Sequence, residues 1–390
     1  MLKFLQPRGD LLLLIVSPFY SFIYSLRKIS KRDTSSLLYV SLFMSLCAII
    51  SPPFADLSTH AYDYLMFQKK TSWDSIIQTN GSDFILYTIS FIFAKVGLNF
   101  EFIRAIFVFS CYQISFVLFK EIIKSRKDLV QTNFDFFLIF LCFFLSVPFL
   151  WIINGLRSAT ADYFMIYALF LLIKRAYLKT CIFAILSVST HFFCWIYIPV
   201  LLVYIWGGRV NKYIFRILVI LSLFVGYLFL AVVFSENESK MVTDQASTLY
   251  LDDLNYGTMS TNGFIALILE RLPLIYLSIW GFFSLTKWVN TKEQTLFYVN
   301  VLLTLLCVTY FIPLQRISWL VMPVLMYLYF KNQVYINLKL LLFTIIISHL
   351  AYIYGYRDVF LNTPFYYLLL PCFFSLFHTY PLNFNLLDFK

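Results

Sequence analysis

"NFDFFLIFLCFFLSVPFLWIINGLRSATADYFMIYALFLLIKR", residues 133 to 175, decides the architecture. Two apolar stretches, 134–153 and 158–173, are of the length a helix needs to cross most of a ~30 Å hydrocarbon core. A transmembrane β-barrel would show short alternating segments, and these runs are long and unbroken. Between them sit Asn154, Gly155, Leu156 and Arg157, and the basic pair Lys174 and Arg175 follows. The stretch reads as two membrane helices that turn at one face, with an arginine at the turn. A charge at the bilayer centre costs roughly 2.5–3.5 kcal/mol on insertion scales, so Arg157 calls for a negative partner or a polar setting.

The same pattern extends in both directions. Further candidate membrane segments run over 10–26, 36–54, 83–98, 101–119, 180–206, 213–234, 263–286, 295–313, 317–330, 338–355 and 364–379. Of the 390 residues, 61% are hydrophobic and 13% are charged, with a mean hydropathy of +0.80. A soluble chain would carry about 25% charged residues. The expected fold class is therefore an all-α polytopic membrane protein. About twelve crossings are expected, within a range of eleven to fourteen, with some re-entrant or bent helices. No internal repeat and no linker is visible, so residues 1–390 read as one integral membrane domain. Its longer outer loops cover about 55–82 and 235–262.

The net charge of +10 falls mainly in short loops: Arg27, Lys28, Lys31 and Arg32; Lys120, Lys124, Arg126 and Lys127; Lys174, Arg175 and Lys179. That distribution follows the positive-inside rule and attracts anionic membrane lipids; it does not point to nucleic acid. The seven cysteines lie singly in apolar segments without a C-x-x-C pair, so neither a metal site nor a disulfide framework is expected. No cleavable signal peptide is expected before the first span.

With 27–34 cytoplasmic, alternation places 55–82 outside. Two segments break simple alternation. Segment 83–98 is expected to be re-entrant or half-crossing, and 180–206 to be a bent pair of short helices folding back near His191. On that topology many polar residues gather at the outer face: Asp56, His60, Tyr62 and Asp63 in the first outer loop, Asn154 and Arg157 at a turn, and His191 at the fold-back. Glu270 and Arg271 lie about eight residues into a helix entered from outside, ~12 Å deep. Gln315 and Arg316 occupy a short outer turn, and Arg357 and Asp358 another. Asp162 lies roughly 140° around the helix from Arg157, and the adjacent Glu270 and Arg271 are expected to diverge. Arginines in excess of local carboxylates, on the face that should not collect positive charge, suggest a bound anion. Guanidinium suits phosphate because it stays charged and presents a planar fork. Each residue also has a plainer reading: Arg157, Arg316 and Arg357 as headgroup anchors, Arg271 with Glu270 in a structural ion pair, His191 as a packed polar residue, Asp56 and Asp63 as loop caps. Asp252 and Asp253, in "LDDL", read as solvated loop residues, and His349 and His378 as structural.

"PPFADLSTHAYDYLMFQ" (52–68), followed by "DFILYTISFIFAKVGLNFEFI" (83–103), resembles the bacterial O-antigen and capsule polymerases of the Wzy type, including the EpsG-like group. So does "INGLRSATADYFMIYALFLLIKRAYLKTCIFAILSVSTHFF" (153–193), in which Asn154, Arg157, Ala161 and His191 match an N-x-x-R-x-x-x-A-like turn and a histidine ending a small-residue helix. The resemblance covers roughly residues 36 to 210. It implies a GT-C-like membrane glycosyltransferase that polymerises undecaprenyl-diphosphate-linked oligosaccharide repeat units into O-antigen or capsular polysaccharide. The site would face the periplasm from the bacterial inner membrane. The lipid diphosphate would be the leaving group, no cofactor would be needed, and a chain-length regulator would be a possible partner. Arg157, Arg271, Arg316 and Arg357 would cradle the departing diphosphate, with Asn154, Asp56 and Tyr62 as further substrate-binding residues. His191, Glu270 and Asp63, in that order, would be candidates for a base toward the attacking sugar hydroxyl. Two rivals remain open: a flippase for lipid-linked oligosaccharide, which should show a midplane cavity and two related halves, and a ligase-like transferase, which differs only in its acceptor.

Overall fold

The computed structural model describes residues 9–53, 56–69, 84–206, 261–284, 291–306, 311–332, 337–355 and 357–380. The expected span 213–234, the loop 235–262 up to residue 260, and the side chains of Asp56, Asp252, Asp253, Gln315 and Asp358 lie outside what is described. Every regular element among the described residues is helical. Four helical stretches are long and apolar enough to cross a membrane: Phe100–Ser125, Asn133–Asn154, Leu156–Ile173 and Leu338–Gly355. The described residues thus have the make-up of an all-α membrane protein. They fall into two compact units, residues 1–194 with 353–390, and residues 195–352.

The first unit begins with α1 (Gly9–Val16) and α2 (Pro18–Ile29), where a single expected segment is divided at Ser17 and Pro18. Proline starts a helix well and cannot continue one. Then come α3 (Leu37–Ile50), α4 (Asp56–Lys69), α5 (Phe84–Val96) and α6 (Phe100–Ser125). Half of the expected outer loop 55–82 is therefore the helix α4, which buries Tyr64 and Phe67 against Leu86, Tyr87 and Phe100. At 13 residues, α5 is only ~20 Å long, shorter than a ~30 Å hydrocarbon core. Its chain reverses at Gly97, whose φ of +76° suits glycine.

α6 is the axial element of this unit. Its buried residues cover more than half of its circumference, and Ile106 is exposed on the remaining face. Around it lie α3, α7 (Asn133–Leu145), α8 (Phe149–Asn154) and α9 (Leu156–Ile173). α7 opens on a reciprocal cap between Thr132 and Asp135 and stops before Pro148. Phe116, Phe119, Phe136, Phe140 and Phe143 interlock between α6 and α7. α10 (Tyr177–Thr190) packs along α9 through small residues, with Ser187 Oγ donating to the Ala161 carbonyl at 2.7 Å. The helix then breaks at His191, where the sequence places a bend, and passes into a 3-10 turn, Phe192–Tyr197.

The second unit contains α11 (Ile198–Trp206), α12 (Thr261–Glu270), α13 (Leu272–Ser284), α14 (Thr291–Leu306), α15 (Phe311–Asn332) and most of α16 (Leu338–Gly355). Residues 317 to 330 of α15 are all buried, so α15 is its core. Two expectations are corrected here. The segment 263–286 is divided at Arg271, and Arg316 lies inside α15 rather than in a turn: the apolar pattern continues upstream through Phe311 and Ile312, leaving no break.

The chain returns to the first unit through α17 (Arg357–Asn362), a 3-10 turn (Phe365–Leu369) and α18 (Cys372–Leu376). The expected segment 364–379 therefore contains no crossing helix; Pro364 and Pro371 cut it into pieces of five residues. Arg357 opens α17 and does not stand in a turn.

Candidate functional site

The helices of the first unit have chemically different ends. At one end the basic loops meet. Arg32 donates from Nε to Asn133 Oδ1 at 2.8 Å and from Nη2 to the Gln131 carbonyl at 3.0 Å, joining the α2–α3 loop to the α6–α7 loop. Lys174, after α9, pairs with Glu121 near the end of α6. Arg126 chelates Asp128 at 2.9 and 2.7 Å, and that contact holds the Asp128 carboxyl below its ordinary value. The three loops that carry the positive-inside signal are thus co-facial.

At the other end sit buried polar groups. Asn154 closes α8, donating from Nδ2 to the Leu150 carbonyl at 2.8 Å, and its buried Oδ1 accepts nothing. Gly155 bridges α8 to α9. A Cβ there would meet Ser158 Oγ at 3.1 Å and the Trp151 carbonyl at 3.3 Å, so the turn is packed tightly. Arg157 follows in the first turn of α9 and is half-buried. One turn deeper, buried Asp162 accepts from Cys194 Sγ at 3.7 Å. The turn at Asn154–Arg157 and the break at His191 are therefore joined, through Asp162 and Cys194 and through Ser187 and Ala161.

His191 is buried, and its Nδ1 accepts from the Phe193 backbone N–H at 3.2 Å. In the neutral ring this contact leaves the proton on Nε2. In α4, His60 is buried with Nδ1 at 4.0 Å from Asp63 Oδ2, while Asp63 is half-exposed and Tyr62 exposed. Tyr64, on the next position, donates its hydroxyl to the Leu98 carbonyl. Asp56 is the first residue of α4.

A further pair belongs to this end and is missed by the sequence reading. Glu101 and Arg104, one turn apart at the start of α6, are 4% and 0% exposed. Arg104 Nη2 donates to the Ser51 carbonyl at 2.8 Å, beyond the end of α3. Glu101 Oε1 accepts from the Tyr380 N–H at 3.3 Å, and Tyr380 Oη donates to the Ile50 carbonyl at 2.8 Å. His378, read as structural, lies between Tyr367, tilted against it, and Tyr380, which it meets edge to face. The signal was in "FEFIRAIFVFS": an acid and a base at i, i+3 inside an otherwise apolar span.

The second unit holds Glu270, Arg271 and Arg316. Arg271 is 5% exposed, and its Nη1 donates to Glu270 Oε2 at 3.1 Å. The pair does not diverge as a continuous helix would require, because the helix breaks at Arg271 and the 100° step between neighbours is lost. The guanidinium also lies 5.5 Å from the Trp319 ring, and Ser348 Oγ donates to the Glu270 carbonyl at 2.7 Å. The plainer reading of this pair, a structural ion pair, describes its contacts well. Arg316 is half-buried in α15. Arg357, in the first unit, is exposed. Among the described residues no group of three or more histidine, cysteine, aspartate or glutamate side chains is placed to hold a metal ion.

A family model described as the EpsG family matches residues 36–374, most of the chain. No curated protein matches, and no solved structure does.

Proposed function

The chain belongs to the EpsG family, the family of Wzy-like polysaccharide polymerases, and from that membership we propose that it joins lipid-linked oligosaccharide repeat units at the outer face of a bacterial inner membrane. Family membership makes this a membrane protein of the polysaccharide-polymerase type. The finer reading assigns undecaprenyl diphosphate as the leaving group, O-antigen or capsular polysaccharide as the product, and about twelve crossings in a GT-C-like arrangement as the frame. A chain-length regulator is a partner in the same reading.

The observation that supports it best is the polar end of the first unit, opposite the co-facial basic loops. Asn154 at the end of α8, Arg157 and Asp162 on α9, and His191 at the end of α10 stand there, with His60 and Asp63 on α4. Glycosyl transfer from a lipid diphosphate develops negative charge on the leaving group. A cation and preorganised donors stabilise that charge more in the transition state than in the ground state. We assign Arg157 to the diphosphate. We assign His191, through Nε2–H, to donation toward a diphosphate or sugar oxygen, because its Nδ1 lone pair is already engaged. Asp63, half-exposed beside His60, then takes precedence as the base for the acceptor hydroxyl, with Tyr62 and Asp56 on the same helix as sugar contacts. Arg357, exposed in the first unit, remains assigned to substrate, and Glu270 is assigned to Arg271.

Deletion of the chain is expected to leave surfaces or lipid carriers bearing a single repeat unit, read by electrophoresis of extracted glycan. Complete loss of glycan outside the cell would favour a flippase. Undiminished polymer would remove the polymerase assignment.

A further inference from the structure

Arg104 has no place in the assignments above, and its surroundings are unusual. It is fully buried, at 0% exposure. Nη2 caps the Ser51 carbonyl, but Nε and Nη1 are buried and make no hydrogen bond. Glu101 is the nearest acid in sequence, yet no ion pair within 4.0 Å joins the two, and its Oε1 takes the Tyr380 N–H instead. A guanidinium taken out of water with donors unfilled carries a desolvation cost of several kcal/mol, and an anion offsets it best. Capping α3 explains one nitrogen and leaves two.

The position along the bundle matters as well. α6 and α9 both lead from the polar end toward the basic loops, and Cys111 on α6 neighbours Thr160 and Asp162 on α9. Arg104 lies ~10.5 Å along α6 from Cys111, and Arg157 ~4.5 Å along α9 from Thr160, in the same direction. Their levels therefore differ by only ~6 Å. The half-buried side chains of His378 and Tyr380 meet edge to face, and Tyr380 reaches the end of α3.

We propose that Arg104 is an anion-binding residue of this chain, seating a phosphate-bearing group at the polar end of the first unit through Nε and Nη1. Naming that group as the lipid diphosphate rests on the polymerase reading; the anion site does not. Glu101 moderates the site, opposing anion entry by its charge while tethering Tyr380.

The test uses the purified full chain in nanodiscs of zwitterionic, net-neutral phosphatidylcholine, with inorganic pyrophosphate as probe and thermal unfolding as readout. Pyrophosphate is expected to raise the unfolding temperature saturably. Arg104→Lys retains a charge and a donor for the Ser51 carbonyl, so it should fold, yet weaken pyrophosphate by about tenfold or more as the guanidinium donors are lost. Glu101→Gln still accepts from Tyr380 and should tighten pyrophosphate about threefold or more. A parallel series in nanodiscs containing phosphatidylglycerol separates the sources: protection there that depends on Arg104, without any by pyrophosphate, makes a lipid headgroup the phosphate that is bound. Equal affinity in all three proteins, or no protection by either phosphate, overturns the proposal. Unchanged binding in Arg104→Lys beside a single-repeat deletion phenotype would sink Arg104 and leave the polymerase reading intact. Arg104-dependent binding beside undiminished polymer would do the reverse.

Discussion

Arg157 separates charge from geometry. A lysine there keeps the positive charge but not the planar fork, and phosphate recognition by guanidinium draws on both. Arg157→Lys is therefore expected to shorten surface polysaccharide sharply at unchanged protein abundance, read on glycan gels beside an immunoblot. Full-length polymer from this variant would take Arg157 off the diphosphate. The residue was legible as a candidate because a charge beside two apolar runs is rare. Arg104 was just as visible as a letter. Glu101 stands three positions earlier as an obvious partner, yet its carboxylate turns to Tyr380. Arg271 shows the opposite case: sequence spacing implies divergence from Glu270, and a local helix break brings the two to 3.1 Å.

Among the elements, breaks were harder to foresee than spans. Pro18 and Pro148 divide the segments 10–26 and 134–153, each read as a single span, whereas the end of α10 at His191 was anticipated. The break at Arg271 and the continuity of α15 through Arg316 were not, since both depend on what the helix packs against and not on its own residues. Gly281 carries an element-scale consequence. A Cβ on it would fall 2.3 Å from Cζ of Phe297, a ring with no exposure. α13 and α14 thus approach through a glycine notch, as small residues permit in membrane bundles. Gly281→Val is expected to destabilise the protein by about 1–3 kcal/mol, seen as a lower unfolding temperature in detergent. An unchanged transition would mean that the Phe297 ring moves aside freely.

For the molecule as a whole, the segregation of the first unit predicts its orientation. Lys31 is exposed at the basic end, and Tyr366 is exposed beside the polar end. With the unaltered chain as baseline, Tyr366→Cys should react with a membrane-impermeant thiol reagent on intact cells, and Lys31→Cys only after permeabilisation. The reverse pattern would invert the orientation on which the proposed site depends. The sequence by itself determined the all-helical membrane class, the side on which positive charge collects, and the polar residues worth examining, because hydropathy and loop charge are local sums that need no knowledge of neighbours. Tertiary structure alone decided which of those groups meet. Asp162 reaches Cys194, Arg271 reaches Glu270, and Arg104 reaches the end of α3 with two donors still unfilled. Such pairings follow from how helices break and pack, and side-chain partners across a bundle are set by that packing, not by spacing along the chain.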